Sequence, residues 1–373
     1  MSKSKIIKTK KIVITGGHAG STSYAIIEEL RNNPEMIWDI YFVGARNAME
    51  GKSVKTLESE VFPKIGVKYL PIITGRIQRK FTPWTLFSLI KIPIGFLYAL
   101  YLLAKIKPDV TLSFGGFAAF PVVVASYLYG IPVIIHEQTV EVGRTNKYSG
   151  YFAKKIAVSR SGSLKYFPRE KCVVTGNPIS KEIEKVLPKK VRGNPAVIFI
   201  TGGSRGSTTI NNIVIQNIDY LLGNYQVIHQ TGSLDFERIK TKRDSLTAKL
   251  KKNYEIFGVI ESWNWYKFIE KADLIISRSG ANIVSEIIVT KRPSIFIPIP
   301  FSYKNEQFKN ALYAKNLGIA ELIEQKDLND NTLINAITKI FKNWESMVNN
   351  MKDPVVNDRY AGKNLVNLIL EML

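Results

Sequence analysis

The chain has 373 residues, of which 45% are hydrophobic and 22% charged, a globular composition that argues against disorder and fibrous repeats. Lysine and arginine number 52 against 31 aspartate and glutamate, a formal net charge of +21, which indicates an anionic partner or surface. One cysteine and three histidines exclude a disulfide framework and a Cys/His zinc cluster, and they favour a reducing cytoplasm.

Short β-branched runs, each followed by glycine and then by helical periodicity, recur along the first half of the chain. This alternation is typical of βα units in a parallel sheet. It predicts a doubly wound α/β domain over residues 1–180. The candidate strands are residues 11–17, 38–45, 67–72, 110–116, 132–137, 155–159 and 172–176.

Prolines and mixed charge then interrupt the pattern, which predicts an interdomain linker at residues 181–195. A second α/β domain is predicted over 196–352, and the amphipathic segment 353–373 is expected to pack back on the first domain. We expect the two domains to face each other across a cleft, because open α/β sheets bind ligands beyond the carboxyl ends of their strands. The second set of candidate strands is 196–206, 225–232, 254–259, 272–280, 293–300 and 318–323.

A glycine-rich loop follows the first strand and opens a helix. Gly16, Gly17 and Gly20 permit close backbone approach, and the helix N-terminus favours an anion. The loop matches neither the G-x-G-x-x-G pattern nor the Walker pattern, which disfavours a nicotinamide enzyme or a P-loop enzyme. A glycine turn that binds no ligand is the alternative interpretation.

The segment from 61 to 108 contains eight basic residues and no acidic residue. Its longest uncharged run, Ile92 to Ala104, has 13 residues, whereas a bilayer span needs about 20. Basic residues beside apolar ones suit docking on anionic lipid; a buried helix with solvated lysines is the alternative. The residues expected to dock are Arg76, Arg79, Lys80, Phe81, Trp84, Phe87 and Lys91.

Polar residues also end the strand at 132–137. His136, Glu137 and Gln138 follow one another there, and polar groups at a strand end are placed to face a ligand. A buried structural histidine is the alternative for His136.

The second domain opens on another glycine loop. Gly202, Gly203 and Gly206 can hold a diphosphate through backbone N–H groups, with the Ser204 hydroxyl as a further donor. One such loop in each domain suggests a phosphate-bearing donor on one side and another anionic group on the other.

Two further polar motifs lie in the second domain. Ser279, Gly280 and Ala281 start a helix that carries Glu286, whose ionised carboxylate can accept both hydroxyls of a ribose. Gln307 and Asn310 share one face of a later helix. A solvated helix surface is the alternative for both motifs.

Eight motifs in this order over almost the whole chain resemble the MurG-type UDP-N-acetylglucosamine transferases of peptidoglycan synthesis: TGGHAGS, SFGGFAAFP, HEQTVEVGRTNK, TGNPI, TGGSRG, HQTG, SRSGANIVSE and NEQFKNA. The resemblance implies a GT-B fold of two Rossmann-like domains. It also implies inverting transfer of N-acetylglucosamine from UDP-N-acetylglucosamine, a substrate, to the 4-hydroxyl of lipid-linked N-acetylmuramyl-pentapeptide. Such enzymes dock on the inner face of the plasma membrane, and the resemblance implies neither a cofactor nor a metal.

The resemblance also implies roles for individual residues. Glu286 matches a ribose-binding glutamate, Ser204 and its glycines match the diphosphate loop, and the 279–281 motif belongs to the same donor site. Gln307 and Asn310 match the helix that orients the donor sugar. The acceptor-side residues are Gly16, Gly17, Gly20, His136, Glu137, Gln138 and Asn146.

Several positions depart from the family pattern. A gapless register places Ser21 where the family has its histidine, whereas a shifted register keeps His18 there. We favour His18 as the catalytic base because imidazole titrates near neutrality; Ser21 is the alternative. Thr139, Ser180 and Glu306 also replace residues usual in the family.

Other functions stay open at this level. Transfer to a different lipid and UDP-sugar epimerisation are the enzymatic alternatives. A basic protein that binds nucleic acid is the non-enzymatic one, but the basic residues accompany aliphatic clusters and the chain has no motif that reads RNA or DNA. We therefore expect a UDP-sugar, a polyprenyl-pyrophosphate acceptor, an anionic membrane and other cell-wall synthesis proteins as partners, and no nucleic acid.

Overall fold

Seven parallel strands form the sheet of the first unit in this computed structural model. The structure describes residues 8–17, 19–47, 56–73, 75, 83–203 and 206–373. At residue 57 and residues 83–89 it describes the backbone alone. The first unit comprises Met1–Ser180 and Val356–Leu373, and the second unit comprises Lys181–Val355. The strand order of the first sheet is β3-β2-β1-β4-β5-β6-β7. The strands are β1 Lys8–Thr15, β2 Met36–Gly44, β3 Lys68–Pro71, β4 Val110–Ser113, β5 Val133–Glu137, β6 Lys155–Val158 and β7 Cys172–Val174.

The helices of the first unit cover this sheet. Strands β4 and β5 are buried along their whole length, because helices cover both faces of an all-parallel sheet. The helices are α1 Gly20–Arg31, α2 Leu57–Val61, α3 Pro83–Ile106, α4 Ala119–Leu128 and α5 Arg144–Ser149, with 3-10 turns at Pro63–Ile65, Ser161–Tyr166 and Arg169–Lys171.

Helix α3 is apolar on two faces. Ala99, Leu102, Leu103 and Ile106 pack into a core cluster that includes residues of α4. A second row, which we call the α3 stripe, is spaced to share another face of the helix and is exposed to solvent. The α3 stripe consists of Ile90, Ile94, Leu97, Tyr98 and Tyr101. Within the described ranges, no helix is both long and apolar enough to cross a bilayer.

The second unit repeats the same strand order with one strand fewer. Its parallel sheet has the order β10-β9-β8-β11-β12-β13. The strands are β8 Val197–Thr201, β9 Gln226–Gln230, β10 Tyr254–Phe257, β11 Leu274–Ser277, β12 Ser294–Phe296 and β13 Ala320–Leu322. The helices are α6 Lys181–Lys185, α7 Thr208–Gln216, α8 Ile218–Asn224, α9 Phe236–Asp244, α10 Ala248–Lys251, α11 Trp265–Lys271, α12 Ala281–Thr290, α13 Glu306–Asn316, α14 Asp330–Lys342 and α15 Trp344–Asn349, with 3-10 turns at Ser262–Asn264 and Tyr303–Asn305.

The stretch 181–195, expected to be a linker, belongs to the second unit. It begins with helix α6, and Ile183 and Val186 are buried there. Lys189 donates to the buried Asp273 carboxylate at 2.8 Å, which fixes the stretch against the end of the sheet. The prolines and charges that suggested a linker therefore accompany a packed segment.

The C-terminal segment lies on the first unit. A 3-10 turn at Asp358–Tyr360 leads into α16, Ala361–Leu370, which packs against α1. Arg160 holds this segment through two hydrogen bonds of 2.6 Å to the Asp358 carboxylate. Asp358 also accepts the backbone N–H of Asn177 at 2.9 Å, so one buried carboxylate joins the C-terminal segment to the last part of the 1–180 segment.

In the part of the chain that the structure describes, each of the thirteen predicted strands overlaps an observed strand. Both sheets are parallel, as the alternation of β-branched runs and helical stretches predicts. The predicted fold class is confirmed.

Candidate active site

Each sheet reverses its strand order at one point, between β1 and β4 in the first unit and between β8 and β11 in the second. Loops after the strands that flank such a reversal diverge and leave room for a ligand. In both units these loops carry the glycine motifs found in the sequence. We therefore expect the ligand-binding groups of each unit to lie at the reversal point of its sheet.

The loop after β8 has a backbone that only glycine accommodates. Gly206 has a φ of +73°, and a Cβ atom there would collide with the carbonyl oxygen of Thr231. Its N–H donates to the Gly203 carbonyl at 2.9 Å. Ser207 then caps helix α7 by accepting the N–H of Ile210. The loop thus brings a capped helix N-terminus to the reversal point; Ser204 lies outside the described residues.

Arg278 is a charged residue beside this loop and is not among the predicted site residues. It follows β11, and its guanidinium donates to the Ser207 hydroxyl at 2.8 Å and to the Ile297 carbonyl at 2.9 Å. Burial lowers the pKa of Arg278 from its ordinary value, but a guanidinium stays protonated in proteins. The second unit therefore places a positive charge next to the cap of α7. The signal in the sequence was an arginine directly after a buried strand, inside the SRSGANIVSE motif.

The structure brings Ser279, Gln307 and Asn310 together. The Ser279 hydroxyl donates to the Gln307 carbonyl at 2.8 Å, and the Asn310 amide donates to the Ser279 carbonyl at 3.2 Å. The Gln307 side-chain oxygen accepts the N–H of Ile299 at 3.0 Å. These bonds hold α13 against the loop that opens α12, where Gly280 is the N-cap and Ala281 the first helical residue.

Glu286 is buried in helix α12, with 8% of its surface exposed. Burial raises its pKa to about 7, and a hydrogen bond from Trp265 acts in the opposite direction. The Trp265 indole Nε1 donates to Glu286 Oε2 at 2.7 Å. Trp265 lies 21 positions before Glu286, and no local sequence pattern indicates this contact.

In the first unit, two glycine turns meet at the reversal point. The N–H of Gly17 donates to the Gly115 carbonyl at 2.9 Å. Gly116 has a φ of +91°, and a Cβ atom there would lie 2.7 Å from the Gly17 nitrogen. The loops after β1 and β4 therefore approach as closely as backbone permits, which explains both glycine motifs.

A carboxylate binds the start of helix α1, where the sequence predicts an anionic ligand. Glu58, which is 3% exposed, accepts the N–H of Ala19 at 2.9 Å. This contact corrects the expectation that the first loop presents its N–H groups to an anion, because a side chain of the protein binds one of them. Ser21 lies exposed in the first turn of α1 after Gly20, and His18 lies outside the described residues.

His136 is fully buried rather than presented to a ligand. Its Nε2 donates to the Gly176 carbonyl at 3.0 Å, and its ring packs edge-on against Phe114 with 5.5 Å between ring centroids. Among the residues that the structure describes, its buried Nδ1 has no hydrogen-bond partner. Burial lowers the pKa of His136 to about 4, so the ring is neutral near pH 7. This geometry supports the alternative interpretation of His136 as a buried structural histidine.

Glu137 and Asn146 belong to a hydrogen-bond network that stabilises the loop after β5. The Glu137 carboxylate accepts the Asn146 amide at 2.9 Å, the Thr139 hydroxyl at 3.0 Å and the N–H of Gly143 at 3.4 Å. Burial raises the pKa of Glu137, and these hydrogen bonds oppose that shift. Thr139, one of the departures from the family pattern, thus serves this network, whereas Gln138 is half-buried.

The residues expected to dock on a membrane lie only partly in the structure. Arg76, Arg79, Lys80 and Phe81 are outside the described residues, as are the side chains of Trp84 and Phe87 in α3. Lys91 is half-buried on α3. The α3 stripe begins one position before it.

The second unit thus combines a glycine loop, a half-buried arginine and a buried carboxylate, whereas the first unit combines two glycine turns with a carboxylate cap. Sequence models of the glycosyltransferase family 28 N-terminal domain and C-terminal domain match residues 52–158 and 197–366. A Clostridium botulinum (strain 657 / Type Ba4) protein named UDP-N-acetylglucosamine--N-acetylmuramyl-(pentapeptide) pyrophosphoryl-undecaprenol N-acetylglucosamine transferase is 30% identical over 370 residues, 96% of this chain and 98% of its own. A protein of the same name from Clostridium tetani (strain Massachusetts / E88) is 28% identical over 371 residues, 98% of this chain and 97% of its own.

Solved structures resemble the fold over nearly the whole length. Acinetobacter baumannii MurG superimposes with a TM-score of 0.67 at 22% identity, covering 97% of this chain and 99% of that chain. UDP-GlcNAc 2-epimerase from Neisseria meningitidis, bound to UDP-GlcNAc, gives a TM-score of 0.64 at 16% identity, covering 98% and 100%. The fold is GT-B, with two Rossmann-like domains. The matches at both domains and along the full chain show that the protein belongs to glycosyltransferase family 28.

Proposed function

We propose that this protein transfers N-acetylglucosamine from UDP-N-acetylglucosamine to the 4-hydroxyl of lipid-linked N-acetylmuramyl-pentapeptide, with inversion at the anomeric carbon. The observation that carries the proposal is the reversal point of the second sheet, where a capped helix N-terminus and Arg278 lie together. Such a site suits a diphosphate. The name of the Clostridium relatives supplies the donor and the lipid acceptor.

The donor binds to the second unit. We assign its diphosphate to the N–H groups of the loop after β8, with the half-buried charge of Arg278 beside them. Glu286 accepts the ribose hydroxyls, because an ionised carboxylate offers acceptor positions only. Gln307 and Asn310 lie on α13 beside the start of α12 and orient the sugar. The loop residues are Gly202, Gly203, Ser204 and Gly206, followed on the other side by Ser279, Gly280 and Ala281.

The reaction is a displacement at the anomeric carbon. The acceptor hydroxyl attacks that carbon from the face opposite the diphosphate, and a base, which we assign to His18, takes the hydroxyl proton. The bond between the anomeric carbon and the β-phosphate oxygen breaks, and its electron pair leaves with UDP. Backbone N–H groups and Arg278 stabilise the negative charge that develops on UDP. UDP-N-acetylglucosamine is a substrate in this reaction, and no cofactor takes part.

The acceptor binds to the first unit. Gly16 and Gly17 leave the loop after β1 without bulky side chains, which allows a sugar to approach the base closely. The half-buried Gln138 remains the acceptor-side candidate of its motif, and Glu137 and Asn146 hold its loop in place. His136, at the end of β5, is bound to the Gly176 carbonyl after β7. Ser21 stays the alternative base in the gapless register.

We assign docking on the inner face of the plasma membrane to the α3 stripe. Leu97 is 64% exposed and Tyr101 57% exposed, and Lys105 and Lys107 are exposed at the end of the same segment. Apolar groups beside lysines bind an anionic lipid surface, to which each lysine adds about 1 kcal/mol. This surface would hold the protein where a polyprenyl-linked acceptor is found.

Vesicle flotation tests the docking surface. The protein should float with vesicles that contain phosphatidylglycerol and remain behind with pure phosphatidylcholine. Leu97→Glu should reduce flotation several-fold, whereas Leu234→Glu, at an exposed leucine of the second unit, should leave it unchanged. Equal flotation of Leu97→Glu and the unmodified protein would reject the α3 stripe as the docking surface.

A turnover assay tests the function itself. The protein is incubated with radiolabelled UDP-N-acetylglucosamine, with and without the lipid-linked muramyl-pentapeptide. Transfer requires the acceptor and produces labelled lipid together with UDP. Conversion of the UDP-sugar to its 2-epimer in the absence of any acceptor would instead establish an epimerase on the same fold.

A further inference from the structure

The indole of Trp265 hydrogen-bonds to the side-chain carboxylate of Glu286. Its Nε1 donates to Oε2 of the carboxylate at 2.7 Å. An N–H donor bound to an ionised carboxylate forms a charge-assisted hydrogen bond, which is stronger than a neutral one. Because Trp265 is half-buried and Glu286 is buried, water screens this bond only weakly.

The indole packs against one aromatic ring, which is itself stacked on a second. Phe199 of strand β8 is fully buried and packs edge-on against Trp265 with 5.1 Å between ring centroids. Phe199 also stacks on Phe268, at 5.7 Å, one turn further along α11. An aromatic ring packed in this way has little rotational freedom. The packing against Phe199 therefore restricts the orientation of the indole N–H that donates to Glu286.

The two helices that carry the pair are tied together at their far ends. Arg292 follows the end of α12 and is 1% exposed. Its guanidinium donates to the Thr290 carbonyl of α12 at 2.7 Å and to the Ile269 carbonyl of α11 at 3.0 Å. Helices α11 and α12 thus share one buried cation. The distance between the indole and the carboxylate is set by these packed elements rather than by side-chain freedom.

An ionised carboxylate has about four acceptor positions on its two oxygens. Trp265 takes one of them, which leaves two on Oε1 and one on Oε2. The two hydroxyls of a ribose need two acceptors that face the same direction. A fixed donor on Oε2 limits rotation of the carboxylate and keeps its remaining acceptors in one orientation.

We propose that Trp265 is a positioning residue of the donor site, which orients the Glu286 carboxylate for the ribose of the UDP-sugar. The inference rests on the proposed function, since it takes a nucleoside diphosphate as the ligand of the second unit. Trp265 lies outside the motifs on which the family resemblance depends. Trp265 acts through Glu286 and has no step of its own in the transfer.

A double-mutant cycle on UDP affinity tests this role. Trp265→Phe keeps an aromatic ring against Phe199 and removes the N–H donor, whereas Trp263→Phe makes the same change at the half-buried tryptophan of the preceding 3-10 turn. We expect UDP to bind about tenfold more weakly to Trp265→Phe, equal to about 1.4 kcal/mol, and unchanged to Trp263→Phe. In a Glu286→Gln background, Trp265→Phe should have almost no further effect.

The outcomes separate the inference from the proposed function. If Trp265→Phe binds UDP as tightly as the unmodified protein, or if its effect persists in full in the Glu286→Gln background, Trp265 has no positioning role. If the unmodified protein binds no UDP, the proposed function fails and the inference fails with it.

A second measurement uses the protein without any change at Trp265. The chain has five tryptophans, so ¹⁵N labelling of the indoles gives a simple spectrum. One indole N–H resonance should shift when UDP is added, and the same resonance should shift in Glu286→Gln without ligand. If the resonance that moves in Glu286→Gln is unaffected by saturating UDP, the proposal is overturned.

Discussion

Both units place a glycine loop and a helix N-terminus at the reversal point of a parallel sheet, but the charged side chain beside that helix differs in sign. In the first unit, the Glu58 carboxylate accepts the N–H of Ala19 at the start of α1. In the second unit, the Arg278 guanidinium donates to Ser207, the cap of α7. One strand order therefore produces one site that already holds a negative charge and one that carries an added positive charge.

The difference shows how a repeated fold divides one reaction. A diphosphate is stabilised by the positive end of a helix together with a cation. The start of α7 has such a cation, Arg278, whereas the start of α1 has the Glu58 carboxylate. A carboxylate at the first helix repels phosphate but is compatible with a neutral sugar hydroxyl and with a base that becomes protonated. The fold supplies two equivalent places, and single side chains decide which ligand group each one takes.

The largest expected effect comes from the base assigned to the first unit. His18→Ala should lower turnover by about 10³-fold, within the range of general base catalysis, and leave the UDP affinity unchanged. Initial rates with the lipid-linked acceptor and calorimetric titration with UDP measure the two quantities. Ser21→Ala is the matched control and should keep its activity within a factor of about three; the reverse result would assign the base to Ser21.

The positive charge of the second unit comes next. Arg278→Met should weaken UDP binding by about 50-fold, because the half-buried charge assigned to the diphosphate is lost, while uridine binding should change by less than about threefold. Lys240→Met, at an exposed lysine of α9, controls for net charge. An equal loss of UDP and uridine affinity in Arg278→Met would mean that the arginine only supports the fold.

Uridine affinity should depend on pH through Glu286. Burial raises the pKa of this carboxyl to about 7, so it is ionised above pH 7 and protonated below. Only the ionised form accepts both ribose hydroxyls, and the affinity should therefore fall about tenfold between pH 8 and pH 6. Burial lowers the pKa of His229, in the same unit, to about 3, so this histidine does not titrate in that interval.

Calorimetric titration with uridine at several pH values measures this effect, because uridine carries no phosphate that titrates in the same range. Glu286→Gln provides the control, since its amide does not ionise, and its weaker affinity should be the same at pH 6 and pH 8. A flat profile for the unmodified protein would show that Glu286 does not bind the ribose as a carboxylate.

The smallest expected effect concerns the carboxylate of the first unit. Glu58→Gln keeps an acceptor for Ala19 but removes the charge, which should lower the protection of this amide by about 1 kcal/mol. Hydrogen exchange of the Ala19 amide should become about fivefold faster. Glu60→Gln, an exposed position of the same helix α2, should leave the exchange rate unchanged. Similar rates in both variants would show that the Glu58 charge does not stabilise the helix.

The strands and their parallel pairing were predictable because the signals for them are local. A run such as Val133–Glu137 is β-branched and buried along its length, and only a parallel sheet covered by helices on both faces buries strands in this way. The position of Glu286 on a helix was also predictable, since the spacing of its motif places it one to two turns after the helix start. The linker expected at 181–195 was not, because prolines and charges do not reveal that Ile183 and Val186 are buried.

The amino-acid sequence by itself determined the two doubly wound domains and the family to which the chain belongs, because hydrophobic periodicity and short motifs act over a few neighbouring residues. Only the tertiary structure decided that Trp265 meets Glu286, that Glu58 meets Ala19 across 39 positions, and that His136 is buried. Such contacts depend on the order in which strands assemble and on which helix face reaches the sheet. That information lies in the packing of the whole unit, and no short segment of the chain carries it.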